Sequence, residues 1–231
     1  MQKKPIENIV FVDGALIRQT LDDDFSVFYE YTNSPADFYD PKFYIPQNKF
    51  WFDYCFKEEL DFFIKLKNTK VPKSCKNVKD VRKFLKKVLC KKGLIPNFYI
   101  RTKNIEGLKV CYVEGSIIRQ YIDPQFVMGG HHYVYKYIPQ NEIWLDNCLG
   151  EKDKFFTLVH EQHERDLMKK GMIYDSAHDF ASAKERQTRR EHGGAYPGDA
   201  KYSWVNLRGD QIIKKYLSRT KFLNNLSRDK K

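Results

Sequence analysis

No apolar run approaches the length of about 18 residues that a helical membrane span requires, so no membrane partner is expected. The opening Met1-Gln2-Lys3-Lys4-Pro5-Ile6-Glu7 lacks the apolar centre of a secretory signal. Cysteine is sparse, five residues with no Cys-x-x-Cys pair. An odd, scattered set fits free thiols better than a disulfide framework, so a cytoplasmic location is expected. Acids are nearly missing from two stretches. Lys65 to Lys103 holds 14 Lys or Arg against the single Asp80, and Lys201 to Lys231 holds nine against two. These two surpluses exceed the net charge of +11, which leaves the remainder acidic. Such an asymmetry points to an anionic partner, with nucleic acid or an acidic protein the expected kind, or to a solvated lysine-rich surface.

What is present is an ordinary hydrophobic share of 42%, a high aromatic share of 15%, and a repeat. Val12 to Phe25 (VDGALIRQTLDDDF) matches Val113 to Phe126 (VEGSIIRQYIDPQF) at seven of 14 positions. Ile45 to Cys55 (IPQNKFWFDYC) matches Ile138 to Cys148 (IPQNEIWLDNC) at seven of 11. The order is the same in both copies, so duplication is the expected origin. The predicted fold class is α+β: an internally duplicated unit of small β-sheet plus helices, organised as a first copy at 1–104, a second at 105–200 and a basic tail at 201–231.

Within this frame, Asn8–Val12, the stretch after Pro46 to Asp53, Lys109–Val113 and Glu142–Asp146 read as strands. The second copy passes a turn at Gly129-Gly130 and continues through Tyr133–Tyr137. Helices are predicted over Glu58–Leu66, 77–92, about 151–171, from an Asp175 cap to about Glu191, and Gly209–Leu217. The helix at 77–92 has Asn77 as its cap, Val78, Val81, Leu85, Val88 and Leu89 as its apolar stripe and Gly93 as its stop. Its other face carries Lys79, Arg82, Lys83, Lys86 and Lys87, the expected anion-binding set. Asp53 and Asp146 recur in the repeat and are expected to cap or brace the frame, as are Arg18 and Arg119, paired with acids.

The stretch Phe155-Phe156-Thr157-Leu158-Val159-His160-Glu161-Gln162-His163-Glu164 gathers titratable groups on one helical turn. His160 and Glu164 are four apart and His160 and His163 three apart, so they share a face, with Glu161 about 100° round it. Two ligands one turn apart can hold a metal while a neighbouring Glu serves as general base. The first copy has Lys67-Asn68 where the second has His160-Glu161, so the chemistry belongs to the second copy. In a helical hairpin turning near Ile173, Glu185 lies level with Glu161, whereas His178 falls roughly 10 Å further along. Glu185 therefore ranks above His178 as third ligand, an order that a bent hairpin reverses. Of His131 and His132, at most one can join the site, because neighbours on a strand face opposite ways.

Asn141–Asp146 followed by Phe155–Glu161 resembles the strand-to-helix passage of zincin metallopeptidases, most of all the ImmA/IrrE type, over about 30 residues. The resemblance implies a zinc ion, His160 as first ligand, Glu161 as the base and peptide or protein as substrate. Glu164 stands where the family has its second His, and His163 where it has Gly. The expected function is a metal-dependent, peptidase-like hydrolase or a degenerate relative of one. The alternative is a non-catalytic binding protein that holds nucleic acid or an acidic protein on its basic surfaces.

Overall fold

At both repeat blocks an apolar strand runs through an acidic residue and a glycine into a short helix. In the first, β1 (Ile9–Val12) leads through Asp13, whose carboxylate accepts the Leu16 N–H at 3.0 Å, into α1 (Gly14–Thr20). Then come β2 (Phe28–Glu30), β3 (Phe50–Asp53) and a 3-10 turn, Tyr54–Glu59. Further along lie α2 (Leu60–Asn68), α3 (Val78–Leu89), β4 (Tyr99–Ile105), β5 (Leu108–Val113), α4 (Gly115–Tyr121), β6 (Gly129–His131) and β7 (Glu142–Asp146). The chain continues with α5 (Glu151–Lys169) and α6 (Tyr174–Glu191). This computed structural model describes residues 8–23, 25–30, 45 and 49–194. The expected helix at 209–217 and the basic tail lie outside the described residues. The fold is α+β, as expected, and no described helix is long and apolar enough to cross a membrane.

Two compact units divide the chain. One holds the residues up to Lys57 together with those from Arg186 onward, and the other is Glu58–Glu185. These bounds differ from the expected division near residue 104. The reason is side-chain pairing: the Arg119 guanidinium binds Glu59 and lies over the Phe63 ring, drawing α2 into the second unit. Arg186 of α6 binds Asp23 at 2.9 Å, which ties the end of that helix to the first.

The first unit has a three-stranded sheet ordered β1-β3-β2, with β1 parallel and β2 antiparallel to β3. The second has a four-stranded sheet ordered β4-β5-β7-β6, with β5 parallel and β6 antiparallel to β7. Register agrees at equivalent positions: Val12 lies beside Asp53 and Phe28 opposite Phe52, as Val113 lies beside Asp146 and Gly129 opposite Leu145. Arg18 Nη1 meets Asp53 Oδ2 at 2.9 Å and Arg119 Nη1 meets Asp146 Oδ2 at 2.7 Å, all four side chains being buried. The second oxygen of each Asp accepts the backbone N–H two residues on, Cys55 at 3.0 Å and Cys148 at 3.1 Å. A Cβ on Gly14 or Gly115 would sit 1.9 Å from the carboxylate of Asp53 or Asp146, so only glycine admits the close approach.

Three expectations are corrected. Gly129-Gly130 is strand, not turn, because β6 pairs there with Leu145 and Trp144 of β7, and turns follow it instead. The helix expected from an Asp175 cap begins at Tyr174, which puts Asp175 inside its first turn. Cys55 and Cys148 are disulfide-bonded, and only Cys75, Cys90 and Cys111 are free thiols. An odd count rules out complete pairing but not disulfide formation, so the cysteines no longer argue for a reducing compartment.

Candidate metal centre

Helix α5 presents Glu164 from a buried position and His160 one turn earlier, on the side facing α6. The turn into α6 is a glycine-terminated one: Gly171 has φ +95°, its N–H reaches the Met168 carbonyl, and the Met172 N–H reaches that of Leu167. This sharp return brings His178 and Glu185 of α6 back to His160. His160 Nε2 lies 3.1 Å from His178 Nδ1 and 3.5 Å from Glu164 Oε2, and His178 Nδ1 lies 2.9 Å from Glu164 Oε2. Glu185 Oε2 meets the other ring nitrogen, Nδ1 of His160, at 3.1 Å. The Tyr174 ring stacks on His178 with centroids 5.5 Å apart, holding an imidazole that is otherwise 43% exposed.

His178, expected second to Glu185, is the residue of α6 that meets Glu164. The triangle of donor atoms is His160 Nε2, Glu164 Oε2 and His178 Nδ1, while Glu185 stands behind His160. A level-for-level hairpin count does not capture how far a histidine ring reaches across to its neighbour. His163 is partly exposed, and among the described residues no hydrogen bond or ion pair joins it to the cluster. His131, which the sequence left as one of two candidates, enters from β6. It is fully buried, with Nε2 at 2.9 Å from Glu164 Oε1 and 3.9 Å from Glu161 Oε2. Its signal in the sequence was the pair of glycines before it, of which Gly129 lets the strand approach α5 and Gly130 makes room for the Tyr135 ring. A Cβ on Gly129 would come 2.8 Å from Thr157 and 3.2 Å from the Glu161 carboxylate.

The charges in this cluster act on one another. Burial alone would strip the proton from His160, yet the carboxylates of Glu164 and Glu185 hold it on and raise the imidazole to about 10. Burial pushes Glu161 up to about 8, with the opposing pull of His160 outweighed once the negative charges of Glu164 and Glu185 are added. Burial would also raise Glu164, but hydrogen bonds from His131, His160 and His178 drive it well below the usual carboxylate range. The two acids, three residues apart, are thus pushed in opposite directions. Near neutral pH Glu164 is therefore charged, while Glu161 stands close to the pH at which it exchanges its proton.

In comparisons with known proteins, no family model, curated protein or solved structure matches this chain.

Among the predicted anion-binding residues, Lys79, Lys83, Lys86 and Lys87 are exposed on α3 and none forms an ion pair among the described residues. Arg82 is corrected: it is half-buried, its Nη1 donates to the Val134 carbonyl at 2.8 Å and its guanidinium covers the Tyr135 ring. Its place on the helix, beside the apolar stripe, turns it inward.

Proposed function

We propose that this chain is a zinc-dependent hydrolase of the peptidase type, with His160, Glu164 and His178 as protein ligands and Glu161 as general base. The observation that carries the reading is the meeting of three donor atoms on two helices, all within 4.8 Å of one another. Two imidazoles and one carboxylate suit zinc and leave a fourth position for water or substrate. When bound, zinc supplies a Lewis acid that polarises an oxygen and makes water a stronger acid.

The chain's own residues do the rest. The Glu185 carboxylate takes the Nδ1 proton of His160 as a hydrogen bond, which turns the Nε2 lone pair toward the ligand position. Glu161 neighbours His160 in a buried setting whose effect is to keep its carboxyl exchanging protons near neutral pH, as a base that must later return the proton requires. The choice of a peptide bond rests on the resemblance of α5 to the zincin helix. We further infer that the two repeat copies arose by duplication, with the chemistry confined to the later one: both carry the same strand–helix–strand frame, but α2 ends at Asn68, where α5 carries Glu161.

Elemental analysis of protein purified without chelator tests the metal, and expects one zinc per chain. Glu161→Gln is expected to keep that zinc and lower hydrolysis of an unstructured protein such as casein by roughly 10²- to 10⁴-fold. His178→Ala is expected to lose the metal, while Glu185→Gln weakens it by roughly 10- to 100-fold. Protein without stoichiometric metal would remove the proposal.

A second reading is favoured by the four exposed, unpaired lysines of α3. We propose that this face docks nucleic acid, a role compatible with hydrolysis at the other helices.

A further inference from the structure

Glu164 is shared by two overlapping sets of donor atoms. One is the triangle with His160 and His178. The other is His131, Glu161 and Glu164, whose donor atoms also lie within 4.8 Å of one another. Taken at face value the pair describes a two-ion centre bridged by Glu164, with Oε2 toward one ion and Oε1 toward the second.

The ring of His131 decides against that arrangement. Its Nδ1 accepts the backbone N–H of Tyr133 at 3.2 Å, so this nitrogen presents a lone pair to a fixed donor. A histidine has one lone pair to spare unless it gives up its last ring proton. The proton therefore sits on Nε2, and that nitrogen donates to Glu164 Oε1 at 2.9 Å instead of offering itself to a cation. The donor is rigid. His131 ends β6, is completely buried, and belongs to a strand paired through it to Ile143 of β7. Its neighbour His132 faces elsewhere, with Nδ1 against the Ile138 carbonyl at 2.8 Å.

We propose that His131 is a positioning residue that holds Glu164 from behind, and that the centre takes a single metal ion. The inference rests on the metal-site reading above. A carboxylate differs from the histidine that usually fills this place in a zincin helix: it can rotate, and it can offer either oxygen or both. With Oε1 occupied by the Nε2–H of His131, only Oε2 faces His160 and His178, so Glu164 serves as a one-oxygen ligand in a fixed orientation. The sheet thereby supplies the alignment that an imidazole would have had from its own ring. Outer groups of this kind govern how well the inner ones bind.

The test uses full-length protein with zinc and, for spectroscopy, cobalt(II). His131→Gln keeps an N–H donor at comparable reach, and His131→Leu keeps bulk without the donor. The wild type is expected to bind one ion per chain. His131→Leu is expected to bind one ion about 10- to 100-fold more weakly, with a changed cobalt absorption spectrum, and His131→Gln to recover most of both. Thermal melting of the metal-free proteins separates alignment from folding: equal affinity and spectra in wild type and Leu variant, with only the melting temperature lowered, would overturn the proposal. Two ions in the wild type and one in the Leu variant would overturn it too, by making His131 a ligand. A wild type that binds no ion would sink the parent reading, whereas one that binds zinc as tightly as its Leu variant would sink the His131 proposal alone.

Discussion

The His160 imidazole has a different job at each nitrogen, and the difference sets a pH dependence. In the metal-free protein Glu164 and Glu185 overcome burial and hold the ring protonated up to about 10. A ligand must offer a lone pair, so at pH 7 metal binding has to expel a proton. The shift is upward, hence proton occupancy is nearly full at neutral pH and metal affinity falls further as pH drops. Calorimetry of zinc binding in two buffers of different ionisation enthalpy is expected to show release of about one proton, and more if Glu161 ionises as well. Heat that does not change with buffer would contradict the assignment. At this scale the sequence displayed His160, Glu161 and Glu164 plainly, because helical spacing alone puts them on neighbouring faces. It did not rank His178 over Glu185, since that depends on how far a side chain reaches between two helices. It displayed His131 least, because a strand residue thirty positions away meets α5 only through sheet pairing.

Among the elements, the recurring unit is a strand, an Arg-bearing helix and a parallel strand ending in Asp. The arginine meets the Asp at the end of that strand with its charge fully enclosed. Arg119 Nη1 reaches both Asp146 and the Phe126 carbonyl, and Nε reaches Glu59 at 2.7 Å. Replacing the arginine leaves its carboxylates buried without a counter-charge. Arg119→Met is therefore expected to destabilise the protein by about 3–5 kcal/mol in urea denaturation. A loss below about 1 kcal/mol would mean that the carboxylates relax to water instead. The repeat marked Arg18, Arg119, Asp53 and Asp146 as frame residues before any coordinates, but that each Arg meets the Asp of its own copy is a finding of the structure. The strand identity of Gly129-Gly130 was not legible. Glycine is a turn signal in isolation, and only the approach of Thr157 and Glu161 to Gly129 and of the Tyr135 ring to Gly130 explains why two glycines sit in a strand.

For the whole molecule, the basic surface and the buried titratable cluster occupy different elements. The lysines of α3 project from its wet face, while the titratable cluster lies between β6, α5 and α6. Replacing Lys79, Lys83, Lys86 and Lys87 together is expected to weaken nucleic-acid retention at low salt for every sequence alike and to flatten its salt dependence. No salt-sensitive retention by the wild type would discard the docking role. The sequence by itself determined the α+β class, the repeat, and the helix that bears His160, Glu161 and Glu164. Those follow from composition and from periods of two and 3.6, which are local. The tertiary structure alone decided that Glu58–Glu185 forms one unit, that Arg82 turns inward, and that His131 and His178 close on Glu164. Each of these is a contact between residues far apart in the chain, fixed by which surfaces exclude water together and not by any spacing along it.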